Sequence, residues 1–178
     1  MSKILIVVDM QKDFVDGSLG TKEAVEIVPA VVKEISQNYD HIIFTRDTHQ
    51  SDYLSTNEGR HLPVIHCIED TEGWQLDKAV AEAVSGLPEG TFTLLNKPTF
   101  GSEELVKLLK EYDKKEHIGS ITLIGLCTDI CVVNNALLIK TAFPEIEIRV
   151  LKDCCAGVTP KTHEAALTTM KMCQIEIV

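Results

Sequence analysis

Short apolar runs alternate with amphipathic stretches from one end of the chain to the other. The runs are Lys3–Val8, His41–Thr45, Phe92–Leu95, Ser120–Leu126, Glu145–Leu151 and Gln174–Val178. They are nearly continuously apolar rather than alternating, which is the pattern of parallel strands covered on both faces. Between them the spacing predicts helices. One is expected to begin at Pro29 and turn Val31, Val32 and Ile35 inward; others cover Leu76–Val84, Glu103–Glu111, Thr128–Ala142 and Pro160–Met172. Thr159-Pro160 marks the start of the last one, a hydroxyl cap followed by proline in the first turn.

Alternation of this kind implies right-handed crossovers and a doubly wound α/β sandwich. No repeat, low-complexity tract or linker interrupts it, so residues 1–178 are expected to form a single domain. The longest stretch without a clear element is Asp47–Glu72, and loops of that length in a compact domain are usually functional or disordered. In open α/β sheets, ligands bind beyond the carboxyl ends of the strands, where the strand order reverses. Polar residues at strand ends are therefore the ones to weigh.

Composition excludes several classes of function. With 44% hydrophobic residues, a chain of 178 residues can bury a sizeable core, roughly 70% of the surface that its unfolded form exposes. Seventeen Lys and Arg against 27 Asp and Glu give a net charge of −10. That field argues against a binder of nucleic-acid backbone and against docking on anionic lipid. No run approaches the ~20 apolar residues of a membrane span, and no cleavage site follows the opening MSKILIVVDM. The six cysteines include no CxxC pair. A chain of this size needs no disulfide staples, so a reducing, cytoplasmic compartment is expected and each thiol is judged singly.

Asp9 ends the first apolar run. A carboxylate there is either a loop cap or a functional group, because it is poorly solvated and needs a partner. No glycine-rich phosphate loop follows it. Asp13, four residues on, reads as solvated or structural. Cys131 follows the fourth run through Gly125-Leu126-Cys127-Thr128-Asp129-Ile130, a strand, turn and helix that can carry a nucleophile on an elbow. A helix N-terminus there is expected to lower the thiol pKa and offer N–H groups to an oxyanion. The competing reading is a buried core thiol, which is kept for Cys127, Cys154, Cys155 and Cys173. Lys97 ends the third run; taken alone it reads as a surface lysine, and only its conjunction with Asp9 and Cys131 singles it out.

Asp47 and His49 are two residues apart on an extended segment and so share a face, with His66 downstream in the long loop. Two imidazoles and a carboxylate suit zinc, manganese or iron and leave coordination positions open. Glu58 is a candidate for a further ligand, direct or through water, and Cys67 a runner-up. His41, His61, His117 and His163 have no such company and read as structural or solvated.

Taken together, the segments Val8-Asp9-Met10-Gln11-Lys12-Asp13-Phe14, Arg46-Asp47-Thr48-His49, Pro63-Val64-Ile65-His66-Cys67, Lys97-Pro98-Thr99-Phe100 and Gly125–Val132 resemble the isochorismatase-like cysteine hydrolases, and within them the nicotinamidase/pyrazinamidase group. The resemblance spans essentially the whole chain, in order. It implies a six-stranded, mainly parallel sheet with helices on both faces and a catalytic triad of Asp9, Lys97 and Cys131. It also implies a non-proline cis peptide near Leu126–Cys127 that aims N–H groups at the substrate oxygen. The run before the second metal histidine departs from the Trp-Pro-x-His-Cys of many nicotinamidases, reading Leu62-Pro63-Val64-Ile65-His66-Cys67.

The activity implied is hydrolysis of nicotinamide to nicotinate and ammonia through a thioester on Cys131. One divalent metal, zinc ahead of manganese or iron, would sit on Asp47, His49 and His66 and hold the pyridine nitrogen. Phe14, Trp74 and Phe100 are candidates for the pocket wall, although aromatic residues are 5% of the chain and most often pack a core. The resemblance also implies a homo-oligomer, dimer or tetramer, acting on a small-molecule amide. The alternatives are a sister hydrolase of another small amide or carbamoyl compound, and a non-enzymatic binding member of the fold.

Overall fold

The structure, a computed structural model, describes all residues from Met1 to Val178. Six strands form one sheet: β1 (Ser2–Val8), β2 (His41–Asp47), β3 (Phe92–Lys97), β4 (Ile118–Leu126), β5 (Glu147–Ala156) and β6 (Glu176–Ile177). Every pairing is parallel, in the order β3-β2-β1-β4-β5-β6. The chain winds outward from β1 in one direction and then, from β4, in the other. The switch point lies between β1 and β4.

The side chains of β1 show why its sequence is apolar without alternation. Ile4, Ile6 and Val8 face one core together with Leu105 and Leu109 of α5 (Glu103–Lys115), Ile139 of α6 (Val133–Ala142) and Leu167 of α7 (Pro160–Met172). Leu5 and Val7 face the opposite core, against Phe14 and Val15 of α1 (Lys12–Val15), Ile27, Val31 and Ile35 of α2 (Lys22–Ile35) and Val80 of α4 (Lys78–Ser85). Successive residues of a strand point to opposite faces, and here both faces are covered by helices.

The helix expected from Pro29 starts seven residues earlier, at Lys22, where the Thr21 hydroxyl accepts the Ala24 N–H. Its apolar stripe begins at Ala24 and Ile27, and Val32 is only half-buried. Pro29 stands inside the helix on its exposed side, where the carbonyl it leaves unpaired is open to water. The fourth helix starts at Lys78 instead of Leu76, because Asp77 caps it and Leu76 bridges to Gln11. The long loop after β2 is ordered by a 3-10 turn, Tyr53–Ser55, and by a short helix α3, Asn57–His61. Cys173, read as a core thiol, is exposed at the end of α7.

Candidate active site and metal centre

The strand ends meet at the switch point. Asp9 directly follows β1 and is wholly buried, with a φ of 46°. Positive φ in a residue other than glycine is uncommon and concentrates at functional sites. On the neighbouring strand, Gly125 has a φ of 113°, and a Cβ there would lie 2.1 Å from the Val8 carbonyl oxygen, so only glycine lets β4 pass β1 this closely. The Leu126–Cys127 peptide that follows is cis. A π-helical turn, Thr128–Val132, then leads into α6 and carries Cys131.

Lys97, the last residue of β3, is also fully buried. Its ammonium lies 2.6 Å from Asp9 Oδ2, 3.4 Å from Cys131 Sγ and 3.5 Å from Asp47 Oδ1, and it donates to the Thr99 carbonyl at 3.1 Å. The contact with Asp9 Oδ2 is a buried ion pair. The other oxygen, Oδ1, accepts the Thr45 hydroxyl at 2.7 Å. The structure therefore brings Asp9, Lys97 and Cys131 into one cluster.

Burial sets the electrostatics of this cluster. It raises the Asp9 carboxyl above the usual range, opposed by the charge of Lys97. Burial also works to lower Lys97, but Asp9 foremost, with Cys131 and Asp47, outweighs it and keeps the ammonium protonated. The Cys131 thiol is pushed well up, by burial first and then by Asp9, with Lys97 opposing. The expectation of a lowered thiol pKa at a helix N-terminus is thus corrected. Placing the sulfur in an apolar interior beside a carboxylate outweighs one cation and the turn's N–H groups.

Beside this cluster, Asp47, His49, Glu58 and His66 bring one ligand atom each within 4.8 Å of one another. Asp47 Oδ2 is 3.0 Å from His49 Nε2 and 3.6 Å from His66 Nε2; Glu58 Oε1 is 3.5 Å and 3.9 Å from the same two nitrogens. Burial works to lower the His49 imidazole, but the carboxylates of Asp47 and Glu58 raise it to about 9. Burial likewise works against ionisation of Asp47, yet His49, His66 and Lys97 hold its carboxyl far below the usual range.

The donor set fits a divalent cation. His49 Nε2 is buried without a hydrogen-bond partner. His66 Nδ1 is 2.8 Å from the Val64 carbonyl, which makes it the protonated nitrogen and leaves the Nε2 lone pair facing the quartet. Cys67, the runner-up ligand, is outside the group; its thiol is fully buried and its N–H donates to Asp13.

Both clusters open on one cavity of about 820 Å³, lined among others by Phe14, Asp47, His49, Glu58, Leu62, His66, Phe100, Leu126, Cys127 and Cys131. Asp9 and Lys97 do not line it and are out of reach of solvent. A second hollow, about 670 Å³ between α2 and α4, holds none of the candidate residues. Phe14 and Phe100 line the main cavity, and Trp74 does not. Trp74 packs beneath the Arg46 guanidinium, 3.7 Å from the ring centroid, and donates its indole N–H to Thr48, so it supports the loop after β2.

Several residues of the site carried no signal in the sequence. Tyr53 is buried with its ring centroid 4.6 Å from that of His49 and 4.9 Å from that of His66, and its hydroxyl donates to the Leu62 carbonyl. Asn135, one turn after Cys131, donates to the carbonyls of Cys131 and Phe100 and accepts the Ser102 N–H. The Thr128 hydroxyl meets His163 Nδ1 at 2.8 Å, which gives that histidine a structural role. His61, read as structural or solvated, is exposed and lines the cavity.

A doubly wound parallel sheet with its polar cluster at the switch point defines the class as α/β proteins that bind small molecules at strand ends. Within that class, the chain belongs to the isochorismatase family, whose domain it matches over residues 3–178. It is 28% identical to the nicotinamidase/pyrazinamidase of Mycobacterium tuberculosis, over 99% of this chain and 98% of that one. Among solved structures it is similar to a nicotinamidase/pyrazinamidase of Bacillus subtilis, with TM-score 0.85, 26% identity and 100% of both chains covered. It is also similar to the pyrazinamidase of Pyrococcus horikoshii in complex with zinc, with TM-score 0.81 and 30% identity over 100% of this chain and 99% of that one.

Proposed function

We infer that the protein is a nicotinamidase, a cysteine amidohydrolase converting nicotinamide and water to nicotinate and ammonia. The observation that carries this reading is Lys97 Nζ, 2.6 Å from a buried carboxylate and 3.4 Å from a thiol, beside a four-ligand cluster in the same cavity. The activities named for the relatives from M. tuberculosis and B. subtilis support it. Asp47, His49, Glu58 and His66 would hold a divalent metal, which would supply a Lewis acid to anchor a ring nitrogen. Zinc is the ion named with the P. horikoshii relative.

Asp9 acts first as base. Its raised pKa makes it a better proton acceptor, and it takes the proton of Cys131, whose thiol stays protonated at rest. Lys97 stabilises the thiolate as it forms. The sulfur attacks the amide carbon, and N–H groups of the Cys127–Cys131 turn receive the oxyanion. Asp9 returns its proton to the nitrogen, the C–N bond breaks and ammonia leaves a thioester on Cys131. Asp9 then takes a proton from water, which attacks the acyl carbon. The C–S bond breaks, the Asp9 proton returns to Cys131, and the acid departs as nicotinate, its carboxyl proton taken up by the released ammonia.

Phe14, Phe100 and Leu62 are among the apolar residues of the cavity wall available to the ring. All six cysteines are free thiols, in keeping with a cytoplasmic enzyme, and no helix is long and apolar enough to cross a membrane. The test is ammonia release from a panel of small amides, with and without a chelator. Nicotinamide is expected to be the best substrate and the chelator to suppress its turnover. Preference for a non-aromatic amide or a carbamoyl compound would move the assignment to a sister hydrolase.

A further inference from the structure

The segment that supplies Asp9 and Phe14 also carries Gln11 and Asp13, and neither takes part in the chemistry above. Gln11 is wholly buried, and its amide grips one residue from both sides. Oε1 accepts the Asp47 N–H at 2.7 Å, while Nε2 donates to the Asp47 carbonyl at 2.8 Å and to the Trp74 carbonyl at 2.9 Å. An amide held this way cannot shift without leaving buried polar atoms unpaired.

Two residues further on, Asp13 Oδ2 accepts the N–H of Cys67 at 2.8 Å. Cys67 directly follows His66 and has a φ of 47°, a conformation that persists only where the surroundings enforce it. Asp13 is itself confined: its N–H donates to the Gly73 carbonyl at 3.0 Å, and a Cβ on Gly73 would lie 2.1 Å from its Oδ2. Neither Gln11 nor Asp13 hydrogen-bonds a side chain of the four-ligand cluster. Each holds backbone, one at the first ligand and the other next to the last.

We propose that Gln11 and Asp13 are positioning residues of the metal centre, clamping the two ends of the ligand-bearing loop at Asp47 and at His66–Cys67. The segment leaving β1 thereby supplies the base Asp9 and sets the spacing of the four ligands. The inference rests on reading Asp47, His49, Glu58 and His66 as metal ligands, and it does not depend on which amide is the substrate. Partners that orient metal ligands from outside the coordination sphere typically contribute about 10–100-fold in metal affinity.

The test is the zinc affinity of full-length, metal-stripped protein, measured by competition with a chromophoric chelator, with thermal melting of the stripped protein alongside. Gln11→Met and Asp13→Ala are expected to weaken zinc binding by about 10–100-fold. Asp13→Asn keeps an oxygen for the Cys67 N–H and is expected to bind zinc nearly as the wild type does. Gly73→Ala, which crowds Asp13 without touching a ligand, is expected to resemble Asp13→Ala. If Gln11→Met does not fold, the Asp13 and Gly73 variants carry the test. Excess zinc is expected to lower the raised KM for nicotinamide with little change in kcat. Unchanged zinc affinity in the folded variants, or Asp13→Asn as weak as Asp13→Ala, would overturn the proposal. Failure of the wild type to take up zinc, manganese or iron would instead remove the ligand reading beneath it.

Discussion

The Lys97 ammonium lies 2.6 Å from Asp9 Oδ2 with both side chains shielded completely from solvent. Each charge supports the other. Burial works against both; the attraction of Asp9 outweighs it at Lys97, and Lys97 opposes it at Asp9 without cancelling it. Lys97→Met is therefore expected to leave Asp9 as an uncompensated buried acid, which takes up a proton and ceases to be a base. Breaking one partner of a buried pair costs about 3–5 kcal/mol. Removing both charges in Asp9→Asn/Lys97→Met, where asparagine tolerates the left-handed backbone, is expected to recover part of that loss. Urea denaturation of the two singles and the double measures this. A double variant no more stable than Lys97→Met would contradict it.

The acid side of the pH profile follows from Asp9. Its carboxyl is raised above its ordinary value of 3.8, so kcat/KM should fall with decreasing pH earlier than an ordinary carboxylate would dictate. Thr45 donates its hydroxyl to Asp9 Oδ1 and favours the ionised form. Thr45→Val is expected to move the acid limb to still higher pH, because losing that donor favours the neutral acid. The same sign applies to the thiol. Cys131 is pushed up, so its alkylation by iodoacetamide in the resting enzyme should be slow at neutral pH and accelerate towards alkaline pH. An acid limb unmoved by Thr45→Val would sever Asp9 from the rate.

The four-ligand cluster makes separate predictions for its parts. His49→Ala removes the buried nitrogen that lacks a hydrogen-bond partner. It is expected to reduce bound zinc and raise KM for nicotinamide at least about tenfold, equivalent to ~1.4 kcal/mol. Glu58 comes from the short helix α3, and its side chain is 22% exposed against 3% for Asp47. Glu58→Gln is therefore expected to weaken metal binding less than His49→Ala does. Zinc content by atomic emission and steady-state kinetics check both.

Asp9 is visible in the sequence because it stands just beyond an apolar run, where a carboxylate is out of place; Cys131 is marked by the strand, turn and helix around it, and Lys97 only by its conjunction with these two. Asp47 and His49 were legible for a similar reason, at the end of β2. Gln11, Thr45, Tyr53 and Asn135 were not. Each acts on backbone or packs against residues far away in the chain, and no local pattern marks such a contact. Pro29 misled because proline is a good first residue of a helix and is equally tolerated on an exposed side. Trp74 misled because an aromatic residue in a functional loop serves a pocket or a scaffold with the same composition. For Cys131 the position was legible and the electrostatics were not, since the depth of burial is set by α6, α7 and β4, which pack against the turn that carries it.

The central claim is that the Cys131 sulfur forms the bond to the substrate carbonyl carbon. The most direct measurement is ammonia release from nicotinamide by Cys131→Ala beside the wild type, with zinc content shown to be equal. Loss of the nucleophile is expected to lower the rate by on the order of 10⁴-fold or more while zinc remains bound. A zinc-loaded, folded Cys131→Ala that released ammonia at the wild-type rate would contradict it.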